Sequence, residues 1–130
     1  MKKTLQDLLE EANAVVKALT PDEVKSVLTE GSAVFVDLRE ESERIRNGII
    51  PGAVHVPRGL FEWAVDQDTT YTIEAFASGQ QVVLYCSHGL RSAMSARLAQ
   101  EMGAENVAHL AGGFTAWKSA GGTIEPYSGT

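Results

Sequence analysis

Four short apolar runs, at residues 33–36, 53–56, 81–85 and 106–110, are each followed by a stretch with helical character, and this alternation constrains the fold most. Ala33-Val34-Phe35-Val36 is β-branched and aromatic without polar alternation, which suits a strand covered on both faces, as in a parallel sheet. Strands that alternate with helices give an α/β fold with a mostly parallel sheet. In such sheets, ligands bind at the carboxyl ends of the strands. That rule gathers Asp37 and Arg39, Pro57 and Arg58, the loop after Tyr85, and Ala111 to Gly113 on one rim.

The loop after Tyr85 reads Cys86-Ser87-His88-Gly89-Leu90-Arg91-Ser92, between the 81–85 strand and a helix expected over 92–102. The one cysteine of the chain thus sits at a strand-to-helix turn. Successive backbone N–H groups point inward in such a turn, and the helix behind adds partial positive charge. This setting favours a thiolate over a thiol. Gly89 permits the tight path, because it adopts positive φ without a Cβ clash. Arg91 adds a cation on the same rim. The stretch reads as an anion cradle with nucleophilic sulfur at its centre.

The rest of the chain fits one domain. Its 130 residues are 44% hydrophobic and 22% charged, an ordinary globular composition. A net charge of −6 gives no general affinity for nucleic acid or anionic membranes. A single cysteine excludes an internal disulfide and a multi-cysteine metal site. Asp7, Glu10 and Glu11 interrupt any signal-like apolar core, and no stretch approaches the roughly 20 apolar residues of a membrane span. A cytoplasmic location is therefore expected. Leu5, Leu8, Leu9, Ala12, Val15, Val16 and Leu19 form a helical stripe, so residues 1–19 are expected to be a helical extension, packed in cis or on a partner. Thr20-Pro21-Asp22-Glu23 is a capping box that opens a helix over 21–29. Further helices are expected over 40–47, 58–65, 71–77 and 114–120, and residues 123–130 as an irregular tail.

At this point the chain resembles a known family, the single-domain rhodanese sulfurtransferases. Four motifs carry the resemblance, over roughly residues 20–122: Val34 to Glu40 with its Asp37-x-Arg39 ending, Gly48-Ile49-Ile50-Pro51-Gly52-Ala53, the Cys86 to Ser92 loop, and Leu110-Ala111-Gly112-Gly113-Phe114-Thr115-Ala116-Trp117. Ile49 stands where the family usually has histidine, in a turn away from the nucleophile. The resemblance implies a mostly parallel five-stranded sheet flanked by helices. It implies a Cys86 persulfide formed from a donor such as thiosulfate, held by the loop N–H groups of Ser87, His88, Gly89, Leu90 and Arg91, and passed to cyanide, a thiol or a protein acceptor. No metal or organic cofactor is implied.

Individual residues keep alternatives. Arg91 can bind the donor's sulfonate or pair with a carboxylate to brace the loop. Arg58 can steer an anionic donor or be a surface charge. Asp37 is expected to accept hydrogen bonds near the loop, with Arg39 as its ion-pair partner or part of the entrance. His88 should point outward. Phe61, Trp63 and Trp117 are expected in the core, with Phe61 or Trp63 available to line the pocket mouth. Two other classes compete. A cysteine-dependent phosphatase or arsenate reductase would place five residues between Cys and Arg, where this chain has four, Ser87 to Leu90. A regulatory or sulfur-carrier module would serve a dedicated protein partner.

Overall fold

The computed structural model describes residues 2–129, so the two end residues of the 1–19 and 123–130 segments lie outside it. Five strands form one parallel sheet in the order β1-β5-β4-β2-β3: β1 (Lys17–Leu19), β2 (Val34–Asp37), β3 (Val54–His55), β4 (Val82–Tyr85) and β5 (Val107–Leu110). Seven helices surround it: α1 (Leu5–Val15), α2 (Pro21–Glu30), α3 (Glu41–Asn47), α4 (Phe61–Val65), α5 (Ala75–Ser78), α6 (Leu90–Glu101) and α7 (Gly113–Ser119). A 3-10 turn at Arg58–Leu60 precedes α4.

Every side chain of β4 is buried, as a strand covered on both faces requires. Alternation along the strands sends Val82, Leu84 and Val36 into a core with Phe61, Phe76 and Ala96. It sends Val83, Tyr85 and Phe35 into a second core with Val24, Phe114 and Trp117. Thr20 and Glu23 close the expected capping box on α2, and Gly31 ends that helix at φ 69°.

Two expected elements are corrected. The first helix stops at Val15, and Lys17–Leu19 become the fifth strand, paired in parallel with β5. The consequence is visible in packing: Val16 meets the first core, Leu19 the second, and Val15 is exposed. One helical stripe would have kept all three together, so sheet pairing overrides the helical spacing. The helix expected over 71–77 is confined to Ala75–Ser78. Thr72 donates its hydroxyl to the carbonyls of Asp66 (2.7 Å) and Thr69 (2.8 Å), and such side-chain bonds compete with helix formation. The tail is irregular over its described residues, as expected, and it is anchored. Ile49 and Glu125 exchange both backbone hydrogen bonds (2.9 and 2.8 Å), and Trp117 Nε1 donates to the Thr123 carbonyl at 2.9 Å. Tyr127 lies under the Arg44 guanidinium, 4.1 Å from ring centroid to Cζ, and donates its hydroxyl to Glu41. The Ile49 side chain is buried, and its backbone is what holds the tail. Phe61 and Trp117 are core residues, whereas Trp63 is half exposed in a shallow surface hollow with Met102.

Candidate active site

β4 delivers its chain to Cys86, and Gly89, at φ 88°, turns it into α6. The sulfur is buried, with 1% of the residue exposed. Gly89 N–H donates to it at 3.2 Å and Ser92 N–H at 3.4 Å, and the Ser92 hydroxyl oxygen lies 3.5 Å away. Of the N–H groups from 87 to 91, expected to hold a persulfide, Gly89 alone among the described residues bonds to the Cys86 sulfur itself. Ser92, one residue beyond that set, supplies the second. The loop carbonyls face the other way: Phe114 N–H donates to Cys86 (2.8 Å) and Thr115 N–H to Ser87 (3.0 Å). The start of α7 is therefore pinned beneath the loop. Gly113 is needed there, since a Cβ on it would sit 2.6 Å from the Cys86 carbonyl oxygen and the His88 nitrogen.

Arg91 braces the loop. Its Nη2 lies 3.4 and 3.5 Å from the two Glu43 carboxylate oxygens and 3.4 Å from the Ser87 hydroxyl, which itself donates to Glu43. Burial pushes the Glu43 carboxyl up, but the Ser87 hydroxyl, the Glu40 N–H and the Arg91 charge together hold it below the usual range. Sequence reasoning missed Glu43, although its place three residues into α3, where it accepts the Glu40 N–H (3.1 Å), is a capping-box position. His88 and Leu90 are exposed at the loop surface, as the inward-facing N–H groups require for His88.

Asp37, at the end of β2, is wholly buried. It accepts from Arg39 N (3.0 Å), Nε (2.9 Å) and Nη2 (2.7 Å), from Arg44 Nε (3.2 Å) and from the Tyr85 hydroxyl (2.9 Å). Burial pushes its carboxyl up, and the Arg39 bonds and charge outweigh that, leaving it below the ordinary value. Burial and the Asp37 charge push the Tyr85 phenol far up, so it stays a donor. Arg39 is 1% exposed and stacks over Phe114 (4.2 Å); it is the ion-pair partner of Asp37 and no part of an entrance. This cluster touches the loop through Tyr85, the residue before Cys86. Arg58 is not brought to the sulfur. It pairs with Glu62 at 3.9 Å and lines a cavity of about 230 Å³ with Leu8, Ala12, Met94, Arg97 and Leu98.

The model of the rhodanese-like domain family matches residues 20–120. Thiosulfate sulfurtransferase GlpE of Actinobacillus succinogenes is 29% identical over 107 residues, which span 82% of this chain and 88% of that one. A Rhodopseudomonas palustris protein of unknown function, described as a possible tyrosine phosphatase, superposes with a TM-score of 0.90 at 38% identity, over 96% of each chain. Human single-domain sulfurtransferase TSTD1 superposes with a TM-score of 0.66 at 26% identity, over 80% of this chain and 96% of that one. With a family match across more than half its length, on a sheet and loop of the matching architecture, the chain belongs to the rhodanese-like domain family.

Proposed function

We propose that the protein is a sulfurtransferase that works through a persulfide on Cys86. The Cys86 thiolate attacks the outer sulfur of a donor such as thiosulfate. A new S–S bond forms, the donor's S–S bond breaks, and sulfite leaves with the electron pair. A thiolate or cyanide acceptor then attacks the outer sulfur, and Cys86 departs as thiolate. The observation that carries this reading is the buried sulfur under two backbone N–H donors, in a loop with four residues between Cys86 and Arg91. The narrow approach suits a donor that presents a single terminal sulfur atom. Family membership and the sulfurtransferase relatives support the same reaction class.

The tyrosine phosphatase description of the Rhodopseudomonas palustris neighbour raises a second reading. Two features weigh against it. The loop is one residue shorter than a cysteine phosphatase loop, and the guanidinium that would bind a phosphate is engaged by Glu43. The deciding experiment records the intact mass of the reduced protein after thiosulfate and again after cyanide. Gain of one sulfur, lost to cyanide and absent in Cys86→Ala, is the expected result. Hydrolysis of an aryl phosphate that vanishes in Cys86→Ser would overturn it in favour of the phosphatase.

A further inference from the structure

β5 carries a histidine that no step above uses. His109 is 3% exposed, and its register neighbours on the flanking strands are Leu84 and Ala18, both apolar. Its Nδ1 lies 2.9 Å from the hydroxyl oxygen of Ser92, whose other partner is the Cys86 sulfur at 3.5 Å. Sulfur, hydroxyl and imidazole thus form one buried chain that joins the end of β4, the first turn of α6 and β5. At its far end, Nε2 is buried with no partner among the described residues.

We propose that His109 is a positioning residue for Cys86: neutral and protonated on Nδ1, it donates to the Ser92 oxygen and turns the Ser92 proton onto the sulfur. This rests on the persulfide reading for its catalytic meaning, but not for its existence. The tautomer follows from Nε2. If Nδ1 accepted from Ser92, Nε2 would carry a proton into a buried position that has no acceptor. Buried N–H groups without partners are rarer and costlier than unfilled lone pairs. Burial, the single cause of the downward shift of the imidazole, keeps it neutral. With Nδ1–H donating, the Ser92 oxygen is occupied and its own proton is left for the sulfur. Among the described residues the Ser92 hydroxyl has no bond back to its own helix, so the imidazole is what fixes the direction of that proton, and without it the hydroxyl is free to turn away from the sulfur.

The arrangement places a third donor on the Cys86 anion, after the N–H groups of Gly89 and Ser92. It acts where sulfur leaves the enzyme. As the acceptor's electron pair forms its bond to the outer sulfur, the pair of the broken S–S bond moves onto Cys86, and the Ser92 O–H stabilises it. No proton is gained or lost. Among the described residues, the hydrogen bonds that reach this chain from outside come from the Gly89 and Ser92 backbone N–H groups, and neither carries a net charge.

The test is the rate of Cys86 alkylation by iodoacetamide, followed from acid to alkaline pH, in His109→Leu, His109→Asn, Ser92→Ala and the His109→Leu/Ser92→Ala pair. Alkylation needs no sulfur donor, so it reads the relay even if the mass experiment above fails. A hydrogen bond to a charged group is worth at least about a tenfold change in rate or equilibrium. His109→Leu and Ser92→Ala are each expected to slow alkylation at neutral pH roughly tenfold. The pair should be no slower than either alone, because both remove the same donor. His109→Asn, whose amide N–H can replace Nδ1–H, is expected to restore alkylation to within about twofold of wild type. Wild-type rates in a folded His109→Leu protein would make His109 a packing residue and overturn the proposal, as would additive losses in the pair. An Asn variant as slow as Leu would overturn the assigned tautomer. If His109→Leu does not fold, Ser92→Ala and His109→Asn decide the matter: wild-type rates in the first or a tenfold loss in the second would overturn the proposal.

Discussion

Gly113→Ala is the perturbation that most directly tests how the fold holds the sulfur. Two costs add at this position. Gly113 has φ 66°, and a residue with a Cβ loses about 1–2 kcal/mol in the left-handed region. The new Cβ would lie 2.6 Å from three atoms of the 86–88 backbone, so either the loop or α7 must shift, an overpacking cost of about 1–3 kcal/mol. The sum is about 2–5 kcal/mol. For a domain of this size, 3 kcal/mol lowers Tm by roughly 10–15 °C. Gly121→Ala is the matched control. Gly121 lies just beyond the other end of α7, at φ 76°, with nothing within 4 Å of the added Cβ, so it incurs the backbone cost alone. The assays are thermal melting and the thiosulfate mass shift. Gly113→Ala should melt well below Gly121→Ala and load sulfur poorly, because the bonds from Phe114 and Thr115 to the loop carbonyls are broken or stretched. Equal melting of the two variants, with full loading in Gly113→Ala, would refute the claim that α7 fixes the loop by close approach.

Other perturbations probe the remaining supports. Asp37→Asn leaves Arg39 and Arg44 buried around a neutral amide, so a loss of about 3–5 kcal/mol in urea unfolding at neutral pH is expected. The folded-state carboxyl lies below its unfolded value of about 3.9, so Asp37's contribution is complete above that pH and disappears as pH falls through the lower folded value. The gap between wild type and Asp37→Asn should therefore narrow only below about pH 4. Tyr85→Phe removes the donor to Asp37 and the acceptor of the Ile50 N–H (3.2 Å); about 1–3 kcal/mol should be lost, measured the same way. Glu43→Gln releases Arg91 from its carboxylate, so thiosulfate should be used several-fold faster in cyanide-coupled turnover, whereas Arg91→Ala should slow it. Unchanged kinetics in both variants would mean that neither residue meets the donor.

What could be read from the chain was what is local in it. Ala33–Val36 and Gln81–Tyr85 announce strands because both faces of those strands are covered, and Thr20 and Glu23 announce a helix because the cap is made within four residues. The Cys86 loop is legible for the same reason: sulfur, glycine turn and helix start are neighbours in sequence. Lys17-Ala18-Leu19 gives no such signal, because these residues become a strand only by pairing with β5, some ninety residues onward. The partners of the loop are equally distant. Glu43 lies 44 residues from Ser87 and 48 from Arg91, and His109 lies 17 from Ser92. Each is an ordinary surface or strand residue until the parallel crossovers bring β2, β4 and β5 side by side. Arg58 shows the converse, since sharing a strand end with the rim did not bring it to the sulfur.

The distribution of charge around the loop bears on which donors the proposed enzyme would take. Each arginine near the site already has a carboxylate: Arg39 and Arg44 share Asp37, and Arg91 has Glu43. The net charge of −6 repels anions at long range. An anionic donor thus gains little from side-chain cations, and the field at the sulfur comes mainly from dipoles: two backbone N–H groups, the start of α6 and, on the assignment above, the Ser92 hydroxyl. Dipoles of this kind stabilise a sulfur anion at a fixed point but do not select the group attached to the incoming sulfur. The same site should therefore accept a persulfide, with no sulfonate to hold, at least as readily as thiosulfate. On this reading Glu43 works against anionic donors: it keeps Arg91 as a brace for the loop.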